Sequence, residues 1–151
     1  MVTELAVRYL HFASILTLVG AVLAQHWGLR STLTRRQVGR LQRMDVIYAV
    51  SVVVVLATGF LQWLAVGKPA AFYSPNPVFH TKITLFLIVG RLSAYPGVFL
   101  ARQRKGEADE TVAVPPLVVW SIRGELLLRF AMPLLATLMA RGIGLPTGAA
   151  P

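Results

Sequence analysis

Four long apolar stretches, separated by short basic or proline-rich segments, constrain this chain more than any other feature of its sequence. A helix that crosses a bilayer needs about 20 mainly apolar residues, and each stretch reaches that length. The stretches are residues 5–29, 46–66, 78–101 and 117–140. The sequence therefore predicts an all-α fold, a polytopic transmembrane four-helix bundle whose outer surface is in contact with lipid.

The low charge content of the chain is consistent with a protein that is embedded in lipid. Only 14% of the 151 residues are charged, against about 25% in a soluble domain, so the charged coat of a soluble protein is missing. The net charge of +9 comes from basic residues at the ends of the apolar stretches, where they meet lipid headgroups. We therefore expect the lipid bilayer, and no nucleic acid, as partner. Cysteine is absent, which excludes disulfides and thiolate metal sites.

The connecting segments predict the topology. Residues 1–142 are expected to form a single transmembrane domain, and the Gly-, Ala- and Pro-rich residues 143–151 a disordered tail. The first and third connections, residues 30–43 and 103–116, hold seven of the eight Lys and Arg residues of the three connections, whereas the second, residues 67–77, is rich in proline. Because basic connections stay in the cytoplasm, we predict that both termini face outward.

Charged side chains within the apolar stretches are the first candidate functional groups, because each is costly in lipid. At about 100° per residue, His80 and Arg91 share one stripe of the third helix. Glu125 and Arg129 share one stripe of the fourth. We predict that both stripes face inward, that Arg91 pairs with Glu125, and that Arg129 shares the carboxylate or faces an anion. Lys82 falls opposite His80 and is predicted to reach the membrane surface.

Two histidines fall in the same leaflet. His11 lies about 9 Å below the outer end of the first helix, and His80 about 3 Å below the outer end of the third. If those helices are neighbours or diagonal, the imidazoles can face one space. Haem between helices needs only one or two histidines at matched depth, and Arg91, Glu125 and Arg129 would surround such a ligand as a second layer of charges. We expect no metal site beyond haem iron.

The same residues have a structural interpretation, which the sequence leaves open. A histidine in a membrane helix is often only a hydrogen-bonding partner of a neighbouring Ser or Thr, and an Arg–Glu pair often ties two helices together. The small-residue ridges Gly90-x-x-x-Ala94 and Ser93-x-x-x-Gly97 suit close packing, either within the bundle or with another chain.

Two functional hypotheses follow, and neither establishes whether the protein is an enzyme. The first is a redox-linked membrane protein that binds haem b, another porphyrin or a quinone. The second is a non-enzymatic accessory or assembly subunit of a larger membrane complex or of a homo-oligomer.

Short motifs add a resemblance to a known family. The segments Arg8-Tyr9-Leu10-His11, Met44-Asp45, Phe79-His80-Thr81-Lys82 and Met139-Ala140-Arg141-Gly142 resemble a family of small bacterial membrane proteins of unknown function, over nearly the whole chain. This resemblance implies the bacterial inner (plasma) membrane, in which the outward-facing termini predicted from the basic connections would be periplasmic.

A more remote resemblance concerns the chemistry. Leu10-His11, Met44-Asp45 and His80-Thr81-Lys82 are similar to positions in the membrane-type protoporphyrinogen oxidase and the copper-resistance D membrane domain. The resemblance to the oxidase implies haem b beside His11 and His80. Asp45 stands where the oxidase has Glu, and this departure bears on the oxidase activity more than on the fold.

Overall fold

A computed structural model describes residues 2–144 as four long helices, one short helix and two short strands. The long helices are α1 (Val2–Gly28), α2 (Arg35–Leu64), α4 (Pro77–Gln103) and α5 (Pro116–Ala140); the short elements are β1 (Thr32–Thr34), α3 (Ala70–Tyr73) and β2 (Thr111–Ala113). The predicted all-α class is confirmed, with a small sheet as an addition. Of the predicted tail, residues 145–151 lie outside the described residues.

The two strands join the first and third connections at one end of the bundle, which we call the sheet end. They pair antiparallel, with Leu33 opposite Val112. The pairing continues past the strands, because the amide of Arg35 donates to the carbonyl oxygen of Glu110 at 2.9 Å. Arg35 Nη2 also donates to Glu110 Oε1 at 2.9 Å. The two basic connections therefore lie on the same side of the bundle.

The first connection is shorter than the sequence indicated. Residues 30–43 were expected to form a loop, and this prediction is wrong from Arg35 onward, where α2 begins. Thr34 sets that start, since its hydroxyl accepts from the amide of Gln37 while the Gln37 side chain accepts from the Thr34 amide, a reciprocal cap that satisfies two otherwise free donors. The low hydropathy of this segment marked it as lying outside the apolar span, but the Thr34 cap determines where the helix starts.

The long helices form a four-membered ring of contacts. α1 packs along α2 and α4 along α5, and contacts between α2 and α4 and between α1 and α5 close the bundle. α1 and α4, which carry His11 and His80, are therefore diagonal. The most deeply buried apolar side chains lie toward the sheet end and include Val22, Leu33, Val38, Leu100, Val118 and Ile122.

The outward faces of the helices are apolar. Among the described residues, α1, α2 and α4 are long and apolar enough to cross a membrane. Exposed large apolar side chains lie along each of them, among them Leu5, Phe12, Leu16, Val50, Val53, Leu87 and Ile88. The predicted fourth span corresponds to α5, which has 25 residues but carries Arg123, Glu125 and Arg129, so composition alone does not mark it as a span.

Candidate functional site

The two histidines are not brought together. His11 is half-buried against α2, where its Nδ1 lies 2.8 Å from the Thr58 hydroxyl oxygen. His80 is exposed near the start of α4, and its Nε2 donates to the carbonyl oxygen of Ser74 at 2.7 Å. Since each imidazole has its own partner on a different side of the bundle, the predicted common space between them is not formed.

The predicted inward stripe of α4 in fact faces outward. Its four members are exposed: His80, Thr84, Leu87 and Arg91. The buried stripe is instead Phe79, Val89, Pro96 and Leu100. Lys82, expected at the membrane surface, is half-buried and lies within electrostatic range of His11. Helical phase groups residues correctly but does not say which stripe meets the neighbouring helices, and here apolar packing determined it.

The predicted pair of Arg91 with Glu125 is not formed among residues 2–144. Glu125 is only 2% exposed and accepts from Arg129 Nη2 at 3.1 Å, one turn along its own helix. Arg91 points away because its neighbour Leu92 is the residue that approaches Gly124 of α5. Arg129 therefore holds the carboxylate alone.

Arg129 also connects α5 to α2 across the bundle. Its Nη2 donates to the Tyr48 hydroxyl oxygen at 2.7 Å, and its guanidinium carbon lies 4.7 Å from the centre of the Tyr48 ring. Tyr48 follows Arg35 by 13 residues, and Arg129 follows Pro116 by 13 residues. Both therefore lie about 20 Å from the sheet-end start of their helices, near mid-length of the bundle.

A second bond continues this network toward the sheet end. Gln25 of α1 donates from Nε2 to Asp45 Oδ1 at 3.1 Å, and Asp45 Oδ2 lies against Gly97 of α4, where an added Cβ would sit 2.9 Å away. Asp45 is close enough to Glu125 for the two carboxylates to act on each other. We call the set Gln25, Asp45, Tyr48, Glu125 and Arg129 the polar core.

The sequence pointed to only part of the polar core. Glu125 and Arg129 were candidates because of their charge, and Asp45 through a motif. Gln25 was missed, although it continues the inward stripe of α1 that contains Leu18 and Val22, one turn further along. Tyr48 carried no such signal, since a tyrosine near a membrane surface is usually read as an interfacial anchor.

One donor of the polar core is left over. Arg129 Nη1 is buried and has no hydrogen-bond partner among the described residues, and the Arg129 side chain is only 9% exposed. A buried donor without a partner costs about 1–3 kcal/mol, and more when it is charged. The core also holds two carboxylates, Asp45 and Glu125, beside this one guanidinium. It therefore has room in its hydrogen bonding for one further oxygen acceptor.

The fold agrees with the comparisons to known proteins. Residues 3–144 match the family model described as "Predicted membrane protein (DUF2214)", which spans all four long helices and the sheet. No curated protein and no solved structure matches the chain. The family match covers well over half of the sequence and agrees with the apolar outward faces of the helices. The chain belongs to the DUF2214 family of predicted membrane proteins.

Proposed function

We propose that this chain is a non-enzymatic subunit that packs, through the outward face of α4, against a transmembrane helix of a larger assembly in the bacterial inner membrane. One observation carries the proposal: Arg91 is exposed, 14 residues after Pro77 and 12 before Gln103. It is therefore about 20 Å from either end of α4. A charge that faces lipid at that depth costs about 2.5–3.5 kcal/mol on insertion scales.

Charge complementarity identifies the partner. A transmembrane helix with a carboxylate at mid-depth would neutralise Arg91 and satisfy its donors. A second copy of this chain is a poor match, because the carboxylates buried at that level are Asp45 and Glu125, and both are engaged inside the bundle. The expected partner is therefore a different chain with an acidic membrane helix.

The surface around Arg91 suits close contact between helices. An added Cβ at Gly90 would meet no neighbour within 4 Å, and Ala94, one turn further, is exposed. Gly97 behaves differently, since Asp45 fills the space beside it. Of the two small-residue ridges in α4, the one at Gly90 and Ala94 is therefore left for another helix, which small residues allow to approach closely.

The proposal includes α5 as a fourth span. Its buried charges, Glu125 and Arg129, point into the bundle, while Leu127 is 73% and Phe130 76% exposed, so lipid would meet an apolar face. Arg123 lies near the start of the helix, within reach of the surface. The basic residues concentrate at the sheet end, among them Arg30, Arg35, Arg36, Arg40, Arg43, Arg102, Arg104 and Lys105, which favours a cytoplasmic sheet end and periplasmic termini.

Single-cysteine crosslinking tests the interface, since the chain has no cysteine. Ala94→Cys on α4 and Leu127→Cys on α5 place the label at comparable depth on two outward faces, and both are coupled to a photoactivatable maleimide in native membranes. We expect a discrete adduct from Ala94→Cys alone, and its loss when Arg91→Leu is added. No adduct, or the same adducts from both faces, contradicts the proposed interface. An adduct of two identical chains would replace the foreign subunit with a homo-oligomer.

A second candidate function is favoured by Arg129 Nη1. A free donor beside two carboxylates, in a core near mid-length of the bundle, suits a membrane-soluble molecule with an acceptor oxygen, such as a quinone carbonyl or a porphyrin carboxylate. The remote resemblance to the protoporphyrinogen oxidase points in the same redox-linked direction. In this candidate the ligand-facing groups are Glu125, Arg129 and Tyr48.

Haem b does not fit the histidines as a pair of axial ligands. His11 is bonded to Thr58 and His80 to the Ser74 carbonyl, and His80 is exposed whereas His11 is half-buried against α2. The absorption spectrum of the detergent-purified protein tests the porphyrin form of the second candidate, because the subunit proposal expects no Soret band. A Soret band that disappears in His11→Ala and persists in His80→Ala would establish ligation by a single histidine and favour the redox-linked candidate.

A further inference from the structure

We infer that the sheet end carries a binding site for the headgroup of an anionic phospholipid. The site is a groove between the end of α1 and the start of α5. Arg30 and Arg123 line it, together with Ser31 and the apolar residues Leu29, Val119 and Trp120. This groove is separate from the α4 surface and from the polar core, so it does not depend on either proposed function.

The two arginines of the groove are available for a ligand. Both are exposed, and among residues 2–144 neither has a carboxylate within ion-pair distance. Nearby Arg35 and Arg36 differ, because they pair with Glu110 and Asp109. Arg30 and Arg123 come from separate segments that the fold brings to one groove. Two unpaired guanidiniums on one groove can hold a phosphate by charge-assisted hydrogen bonds.

The apolar part of the groove identifies a lipid and not a free anion. Trp120 is 66% exposed, and the guanidinium of Arg123 lies 5.6 Å from its ring. Trp120 follows Pro116 by four residues, about 6 Å into α5, which is the interfacial depth that tryptophan prefers. Leu29 and Val119 continue the apolar wall beside it. A phosphate held above such a wall fits the junction of headgroup and acyl chain.

Site-specific binding differs from general attraction to a basic surface. Many arginines at the sheet end attract anionic lipid, and each contributes a similar long-range term. A built site predicts that the two groove arginines matter more than two arginines elsewhere at the same end. Arg40 and Arg43 of α2 supply the matched control, since both are exposed and neither lines the groove.

The experiment measures lipid binding by the full chain in detergent with native mass spectrometry, with phosphatidylglycerol and phosphatidylcholine as probes. We expect a preference for phosphatidylglycerol, weakened roughly 5-fold by Arg30→Gln or Arg123→Gln and about 30-fold by both together, if each arginine contributes about 1 kcal/mol as a hydrogen-bond donor to the headgroup. Arg40→Gln with Arg43→Gln should leave most of the preference intact. Circular dichroism and the melting temperature establish that both double variants are folded.

Three results would overturn the inference. The first is an unmodified chain with no preference between the two lipids. The second is an equal loss in the two double variants, which would mean general charge attraction. The third is a free-anion site. In that case inorganic phosphate would bind as tightly as phosphatidylglycerol, and Trp120→Ala would change the binding of neither. If Trp120→Ala weakens lipid binding and inorganic phosphate binds only weakly, the results support a lipid-headgroup site in this groove.

Discussion

The two halves of the bundle satisfy their polar side chains in different ways. In the sheet half, bonds cross from helix to helix: Gln25 reaches Asp45 and Arg129 reaches Tyr48. In the opposite half, His11 with Thr58 makes such a bond, but hydroxyls mostly bond to a carbonyl of their own helix. Examples are Thr81 with Pro77 and Thr137 with Pro133. Bonds of the first kind fix helices relative to each other, whereas the second kind leave them independent.

Packing follows the same division. The fully buried apolar side chains lie toward the sheet, where α1 ends and α5 begins. At the other end a main tie is Asn76, whose Oδ1 accepts from the Val78 amide while its Nδ2 donates to the Ile143 carbonyl oxygen. The difference indicates that the sheet half holds the bundle together.

The largest test of this comparison is Arg129→Met. The substitution leaves the Glu125 carboxylate buried without its partner, and breaking a buried pair in this way costs about 3–5 kcal/mol. Unfolding of the detergent-solubilised protein by a denaturing detergent measures the loss. Adding Glu125→Leu should recover most of it, because both charges are then gone. A single variant as stable as the unmodified chain would mean that the polar core does not hold the sheet half.

The second test compares two glycines of one helix. Gly97→Ala places a methyl group 2.9 Å from Asp45 Oδ2, and overpacking of this kind costs about 1–3 kcal/mol. Gly90→Ala meets open space and should stabilise the helix by up to about 1 kcal/mol. Unfolding free energies of the two variants check the opposite signs. Equal effects would contradict the assignment of one glycine to the bundle and the other to a partner.

The third test addresses the histidine half. Thr58→Val removes the hydroxyl that bonds His11 and should destabilise the protein by about 0.6 kcal/mol, with roughly 1.7 as the upper end for membrane bonds of this type. His80→Ala should change the unfolding free energy little, because His80 is exposed and its hydrogen-bond partner among residues 2–144 is the carbonyl oxygen of Ser74, only six residues before it. A larger loss for His80→Ala than for Thr58→Val would reverse this assignment.

The fold was predictable where it depends on one-dimensional signals. Apolar length found the four long helices, and the basic connections were correctly placed on one side. The sheet and the early start of α2 escaped, because they depend on Thr34 capping and on pairing between segments distant in sequence. Arg91 shows the same limit at the site: helical phase gave its stripe, but only the packing of Leu92 toward Gly124 determined which way that stripe points.

The smallest expected effect comes from the exposed Arg35–Glu110 ion pair at the sheet end, which can be compared with the buried polar core. Hydrogen bonding to Arg35 holds the pKa of Glu110 below its ordinary value of 4.5. Because the folded-state pKa is depressed, the pair stabilises the protein above that ordinary value, and the contribution is lost as the pH falls through the folded pKa. Glu110→Gln should therefore lower the melting temperature slightly at neutral pH and reduce its dependence on acid, as melting curves at several pH values can show.

Salt provides the control for this last variant. The Glu110 side chain is half exposed, so the difference between Glu110→Gln and the unmodified chain should shrink at high ionic strength. The effect of Arg129→Met should persist there, because its charges are shielded from the solution by the bundle. If Glu110→Gln instead destabilised the protein as much as Arg129→Met, the sheet end would be held by a surface ion pair and not by the core beneath it.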